Sequence, residues 1–284
     1  MALLYQSAVK RIFREIMSRK LKYLERAFLF VILTIVSQVG GLVYLLSLFL
    51  SKRIKYQFFG KGILMFSTLY ILSTFLIVPI IAPLFGREKI KNKSHLQPAN
   101  YLSIVLNRNY VTPETNVFLQ NISNHLAQAN SNVQARYLDA CFPFFKGFPL
   151  LPHLSHKDGC KIDFSLVYED EDGRIVNKGK SRSGYGIFED AKNDEFNQCK
   201  DCLQKGYFQY DYPKYLTLGK VNSELKFSKK GTKELIDAIV SQKALCKMFI
   251  EPHLKQRMKL SDSRIRFHGC GAVRHDDHIH VQIN

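Results

Sequence analysis

Acidic side chains are scarce in the first third of this 284-residue chain. Residues 1–94 hold only Glu15, Glu25 and Glu88 against 15 Lys and Arg, a local charge of +12, while the remaining 190 residues carry 26 basic and 21 acidic side chains, or +5. The overall charge of +17 is therefore not spread over a nucleic-acid-binding surface. Zinc-finger, helix-turn-helix and phosphate-loop patterns are also missing, which argues against nucleic acid as a partner. Charge of either sign is absent from Ala27–Leu50 and from Gly62–Phe85, 24 residues each. About 20 apolar residues span a bilayer, so both runs are expected to be transmembrane helices. A cleaved signal peptide would have a shorter apolar core and would occur once. Cysteine is absent before residue 95. The six present (Cys141, Cys160, Cys199, Cys202, Cys246, Cys270) are an even number confined to one region, which fits disulfides in an oxidising compartment. A second CxxC to match Cys199–Cys202 is lacking, which weighs against a structural zinc site there. There is no internal repeat.

What is present divides the chain. Residues 1–26 combine Leu3, Leu4, Val9, Ile12, Phe13, Ile16 and Met17 at helical spacing with six interleaved basic residues, the pattern of an amphipathic helix on a membrane surface. Gln38-Val39-Gly40-Gly41 interrupts the first apolar run, and Pro79 and Pro83 lie late in the second; membrane helices tolerate such residues. Lys52, Arg53, Lys55 and Lys61 mark a short loop between the runs. Two spans put both chain ends on one side. Seven basic residues before the first span and four after the second, against four in the loop, then favour both ends inside. That conflicts with the cysteine argument. Residues 87–112 read as a linker, and residues 113–284 as an α+β domain built on an antiparallel sheet with flanking helices. Thr112 is a candidate N-cap for a helix from Pro113 to about Ala129. Strands are expected over Val133–Phe145, Ile162–Glu169 and Lys247–Glu251, and helices over Thr232–Cys246 and Pro252–Leu260. Residues 174–220 are expected to be rich in loops.

The chemistry-bearing residues sit in two distant clusters. In His275-Asp276-Asp277-His278-Ile279-His280-Val281-Gln282-Ile283-Asn284, apolar residues alternate with polar ones, the period of a strand with one buried face. His278 and His280 therefore project together from the other face, about 6.6 Å apart at Cα. The second cluster is His153-Leu154-Ser155-His156-Lys157-Asp158-Gly159-Cys160-Lys161-Ile162-Asp163. Gly159 lets the loop bend so that His156 and Asp163 converge on one ion. A third ligand from the closing strand completes a site with one open position, the arrangement of catalytic rather than structural zinc.

These two segments, HxxxxxxD followed much later by HxH, resemble the penicillin-insensitive murein endopeptidases. Those belong to a wider metallopeptidase group that includes lysostaphin, the D-Ala-D-Ala peptidases and the hedgehog signalling domain. The likeness covers roughly residues 130–284. It implies a zinc peptidase acting on cross-links or stem peptides of peptidoglycan, with Zn2+ held by His156, Asp163 and His280, and His153 as a further candidate ligand. It implies that His278 is the catalytic residue, acting as general base or on the tetrahedral intermediate. His275, Asp276, Asp277 and Ser155 would surround the site, with Asp276 or Asp277 orienting a ring nitrogen. The corresponding location is a bacterial inner membrane, crossed more than once, with the domain periplasmic and residues 1–86 in contact with lipid. Two alternatives stand beside it: a zinc-containing cell-wall binding module without turnover, and a cytoplasmic-facing peptidase acting on small peptides. His268 is expected to be structural, His95, His125 and His253 to lie on the surface, and Ser181–Gly186 to be an ordinary glycine-rich loop.

Overall fold

In the computed structural model, the backbone of residues 2–56 and 58–284 and the side chains of residues 17–56 and 58–284 are described. The chain forms two compact units, Met1–Val78 and Pro79–Asn284. The first holds α1 (Ala2–Ser37), α2 (Gly40–Arg53) and the greater part of α3, which is helical from Lys61 to Phe85 and so runs past the end of that unit. The side chains of residues 1–16, on which most of the expected amphipathic face rests, lie outside those described; Met17, Leu21 and Leu24 are exposed.

The first apolar run is not one membrane span. Gln38 adopts φ 64°, a left-handed conformation that ends a helix, and the chain reverses there. The reversal needs glycine. A Cβ on Gly41 would fall 2.0 Å from Thr34 Oγ1 and 2.7 Å from the Phe30 carbonyl oxygen, and one on Gly40 2.8 Å from the Leu33 carbonyl oxygen. The expectation of two spans is therefore corrected. Among the described residues, Lys61–Phe85 is the one helix long and apolar enough to cross a membrane. Its π turn at Ser73–Ile77 precedes Pro79, which has no N–H to give to the preceding turn, so the helix widens locally.

The second unit is α+β. A six-stranded sheet runs in the order β5-β4-β6-β3-β2-β1. Its strands are β1 (Leu96–Pro98), β2 (Ala135–Tyr137), β3 (Lys161–Ser165), β4 (Leu245–Phe249), β5 (Ile265–Arg266) and β6 (His278–Ile283). It is antiparallel through its centre, but β1 with β2 and β4 with β5 pair in parallel. Ile279, Val281, Ile162 and Phe164 line one face of the central pair, all 0% exposed. They share a core with Phe118, Leu119, Ile122 and Leu126 of α4 (Pro113–Gln128) and Leu235, Ile236 and Ile239 of α5 (Lys229–Val240). Both helices start as their sequences dictate. Thr112 Oγ1 accepts the Thr115 N–H at 3.2 Å, and Ser228 Oγ accepts the Gly231 N–H at 3.2 Å.

Residues 87–112 are not a free linker. They supply β1, whose Leu96 is fully buried, a helical turn at Leu102–Val105, and a two-residue strand at Tyr110–Val111 that pairs with Glu88–Lys89. The long strands expected elsewhere are shorter. Val133–Phe145 contributes only β2, because the Asp139 N–H turns to the Tyr185 hydroxyl and Cys141 bridges to Tyr110. Ile162–Glu169 splits after Ser165, and Tyr168–Glu169 joins a separate three-stranded sheet with Ile175–Val176 and Lys226–Phe227. The 174–220 stretch carries a short helix, Gln198–Gln204, and a 3-10 helix, Phe208–Tyr215. Of the six cysteines, Cys202 and Cys270 form a disulfide; Cys141, Cys160, Cys199 and Cys246 are free.

Candidate metal centre

Strand pairing builds the site. β3 and β6 run antiparallel with His280 opposite Asp163 and His278 opposite Ser165. Directly opposed residues share a face, and residues two apart on a strand share it too. Asp163, His278 and His280 therefore project together from the face away from the core.

The loop before β3 closes over this face. His156 Nε2 lies 3.2 Å from Asp163 Oδ1 and 3.1 Å from His280 Nδ1, and His280 Nδ1 lies 2.8 Å from Asp163 Oδ1. His153 Nδ1 is 3.3 Å from Asp163 Oδ2 and 3.3 Å from Asp139 Oδ2. The ligand atoms of His153, His156 and Asp163 all lie within 4.8 Å of one another, a group that could hold a metal ion. The sequence-expected trio of His156, Asp163 and His280 is thus brought together, with His153 beside it.

Two observations fit a cation. His156 Nδ1 donates to the Ala140 carbonyl at 2.8 Å, which turns Nε2 toward the site; burial disfavours the charged ring but Asp163 outweighs it and raises its pKa, so a bound cation would take the place of the Nε2 proton. His153 Nδ1 is buried and makes no hydrogen bond despite its two carboxylate neighbours. Burial opposes the charge of Asp163, but His156 and His278 outweigh it and hold the carboxyl well below the usual range. Burial pushes His280 down to about 4 against the pull of Asp163, so its ring is neutral near pH 7 and able to donate a lone pair. His275 is pushed well below its ordinary value by burial and by the neighbouring His278 and His280.

His278 is placed differently. Its Nδ1 is 2.5 Å from Asp277 Oδ1, and its Nε2 stands 3.9 Å from Asp163 Oδ2. Burial disfavours its charge, yet Asp277 and Asp163 outweigh burial and raise its pKa to about 9. Asp277 is in turn fixed by the Gly186 N–H, which donates to Oδ2 at 2.6 Å. Asp276 does not orient a site histidine. It is clamped by Arg274, whose Nε and Nη2 donate to Oδ1 and Oδ2 at 2.8 and 2.5 Å.

Two residues of the site escaped sequence reasoning. Tyr185 donates its hydroxyl to Asp163 Oδ2 at 2.9 Å and accepts the Asp139 N–H at 3.1 Å. Asp139 joins His153 to Arg108, whose Nη1 donates to Oδ2 at 3.1 Å. The signal for Tyr185 was an aromatic between two glycines, Gly184 and Gly186; for Asp139 there was none, because its partner is 31 residues away. His253 is buried at 3%, not on the surface, and its Nε2 lies 2.8 Å from the Glu189 carbonyl oxygen. His268 packs edge-on against Phe249, with centroids 4.2 Å apart, but also lines the cleft. That cleft has a volume of ≈ 270 Å³ and is walled by the site histidines, Ser155, Gln209 and the Gly271–Val273 segment. Ser155 is exposed on its rim. The Cys202–Cys270 disulfide ties the Gly271–Val273 wall to the Gln198–Gln204 helix. No family model and no curated protein matches this chain.

Proposed function

We propose that this chain is a membrane-anchored zinc peptidase that hydrolyses cross-links or stem peptides of peptidoglycan. The observation that carries the reading is the division of labour among the histidines. His156, His280 and Asp163, with His153 at their side, converge on one point, while His278 stands apart, braced by Asp277 rather than by that group. A structural metal site has no use for a braced, uncommitted imidazole at the wall of an open cleft. The donor set of three imidazoles and one carboxylate suits zinc. The peptidoglycan assignment rests on the sequence resemblance.

In this reading His156, Asp163 and His280 hold the metal, which when bound supplies a water acidic enough to ionise near neutral pH and polarises a carbonyl oxygen. Tyr185 and the Ala140 carbonyl keep Asp163 and His156 in register. His278 takes and returns a proton at Nε2, because Nδ1 is engaged by Asp277. Its raised pKa depends on Asp163 as well as Asp277. With the Asp163 charge offset by a bound cation, the imidazole moves toward the neutral form that a base needs. Gly271–Val273 and Ser155 give an extended peptide two walls to lie between.

The test compares full-length protein with His278→Ala and His156→Ala on purified sacculi. Expected are one zinc per chain and peptide release by the wild type. His278→Ala should retain zinc and lose about 100-fold or more in rate, and His156→Ala should lose both. Full activity in His278→Ala, or an inert wild type carrying stoichiometric zinc, would overturn the reading.

A further inference from the structure

We infer that residues 27–53 form a re-entrant helical hairpin that enters one leaflet of a bilayer and leaves on the side it came from, so that α3 alone crosses. The partner of this surface is lipid. The hairpin depends only on the first unit and the charges flanking it, and stands whether or not the candidate metal centre is catalytic.

Length is the first argument. The apolar end of α1, residues 27–37, is about 16 Å long and α2 about 21 Å, at 1.5 Å per residue, whereas a bilayer core is about 30 Å thick. Neither arm reaches across. The 25-residue α3 does.

Depth is the second. Tyr44 of α2 meets Phe66 of α3 edge-on, ring centroids 6.3 Å apart, and the short loop after Arg53 makes the two helices antiparallel. Counting back from that contact sets Gly40 level with Tyr70, about 14 Å along α3 from Lys61, near the middle of the hydrocarbon. The hairpin tip is thus polar and irregular at a depth where water is absent. Non-helical backbone survives there only if it is sheltered in protein and its N–H groups are satisfied internally, and both conditions hold for the backbone of Gln38, Val39 and Gly40. Ser37, Gln38 and Val39 are 2%, 5% and 6% exposed, and Thr74 3%. Ser37 Oγ accepts the Gly40 N–H at 3.0 Å and donates to the Leu33 carbonyl at 3.0 Å. Thr34 Oγ1 donates to the Phe30 carbonyl at 2.7 Å, and the Gln38 N–H donates to the Thr34 carbonyl at 2.7 Å. A tip lying in the aqueous phase would have no need of this concealment. The sides of the hairpin show the reverse pattern: Leu42, Leu45, Leu46 and Phe49 turn outward, as lipid-facing residues do.

Charge is the third. A hairpin places Lys10–Arg26 and Lys52–Lys61 on the same side, eleven Lys and Arg in all, against the four from Arg87 to Lys93 on the other. The basic side is the cytoplasmic one. The chain after Phe85, with its metal centre, then emerges on the far side, where the Cys202–Cys270 disulfide is stable. Two complete spans set charge and disulfide against each other; one span and a hairpin reconcile them.

The experiment uses the full-length chain in sealed and in permeabilised spheroplasts. A site-specific protease sequence is placed at the N-terminus, after Tyr56, or at the C-terminus. In parallel, Tyr56→Cys, at a loop side chain 84% exposed, is probed with a membrane-impermeant maleimide. Expected are cleavage of the C-terminal site in sealed spheroplasts, and cleavage of the other two sites and labelling of residue 56 only after permeabilisation. N-terminal and loop sites on opposite faces would overturn the hairpin. Both sites outside with the C-terminus protected would overturn the sidedness. Release of the chain by alkaline carbonate would overturn lipid as the partner.

Discussion

Asp163→Asn probes the proposed metal centre at its most constrained point. The side chain is fully buried, accepts the Tyr185 hydroxyl, and has ring nitrogens of His280, His156 and His153 at 2.8, 3.2 and 3.3 Å. Asn preserves the shape, and its carbonyl oxygen can still accept from Tyr185, so the fold should survive. What disappears is one ligand oxygen and the negative charge that attracts a cation. A ligand that binds only the native state adds RT ln(1 + [L]/Kd), about 2.7 kcal/mol at a hundredfold excess over Kd. For a unit the size of Pro79–Asn284, each kcal/mol moves Tm by about 2–4 °C. Zinc should therefore raise the wild-type transition by about 5–10 °C after stripping with chelator. The assay is thermal unfolding of full-length protein in detergent, with zinc titrated from none to excess. Asp163→Asn should unfold cooperatively and respond little. An equal rise in the variant, or no rise in wild type with any first-row divalent ion, would refute the metal centre.

Other outcomes follow from neighbouring features. Cys202→Ser/Cys270→Ser removes a bond closing a 68-residue separation, worth about 4 kcal/mol by loop entropy; the denaturant midpoint should fall accordingly, and reduction of the wild type should reproduce the loss. Gly186→Ala puts a Cβ 2.2 Å from the Pro213 carbonyl oxygen at φ +81°, which should cost roughly 1–3 kcal/mol and lower peptide release by displacing Asp277; a variant with unchanged stability and rate would contradict this. Glu195 is held at about 2 rather than 4.5 by Arg257, which donates to it twice, at 2.9 and 2.6 Å. A depressed carboxyl stabilises the fold above its unfolded pKa, and that contribution fades as pH falls through the folded value. Glu195→Gln should therefore cost about 1 kcal/mol at pH 7 and match the wild type near pH 2, as read by urea unfolding across pH.

The parts of the site legible in the sequence were those that depend on local period. Alternation in Ile279, Val281 and Ile283 placed His278 and His280 on one face, and the structure pairs that strand with the one bearing Asp163. Tyr185 and Asp139 were not legible, because their roles arise from contacts between segments that no local pattern encodes. The caps at Thr112 and Ser228 show both cases: Thr112-Pro113-Glu114 marks the first helix at its true start, whereas the expected Thr232 start lies three residues inside the second. The first apolar run misled for a related reason. Its composition satisfies a membrane span, but two glycines let the backbone double back at Gln38, and hydropathy does not register geometry. Leu96 likewise sits in a stretch too polar to read as sheet, and is buried only because β2 lies beside it.

The pairing of Asp163 with His280 has a consequence for biogenesis. These two residues are 117 apart, and His156 and His280 are 124 apart. Bringing such distant segments together carries a loop-closure cost that early compaction does not repay. Until β6 docks between β3 and β4, a nascent chain offers an ion only the donors of one segment, His153, His156 and Asp163, without His280. In the proposed reading the full ligand set exists only once β6 is in place, so tight binding of a cation would follow assembly of the sheet.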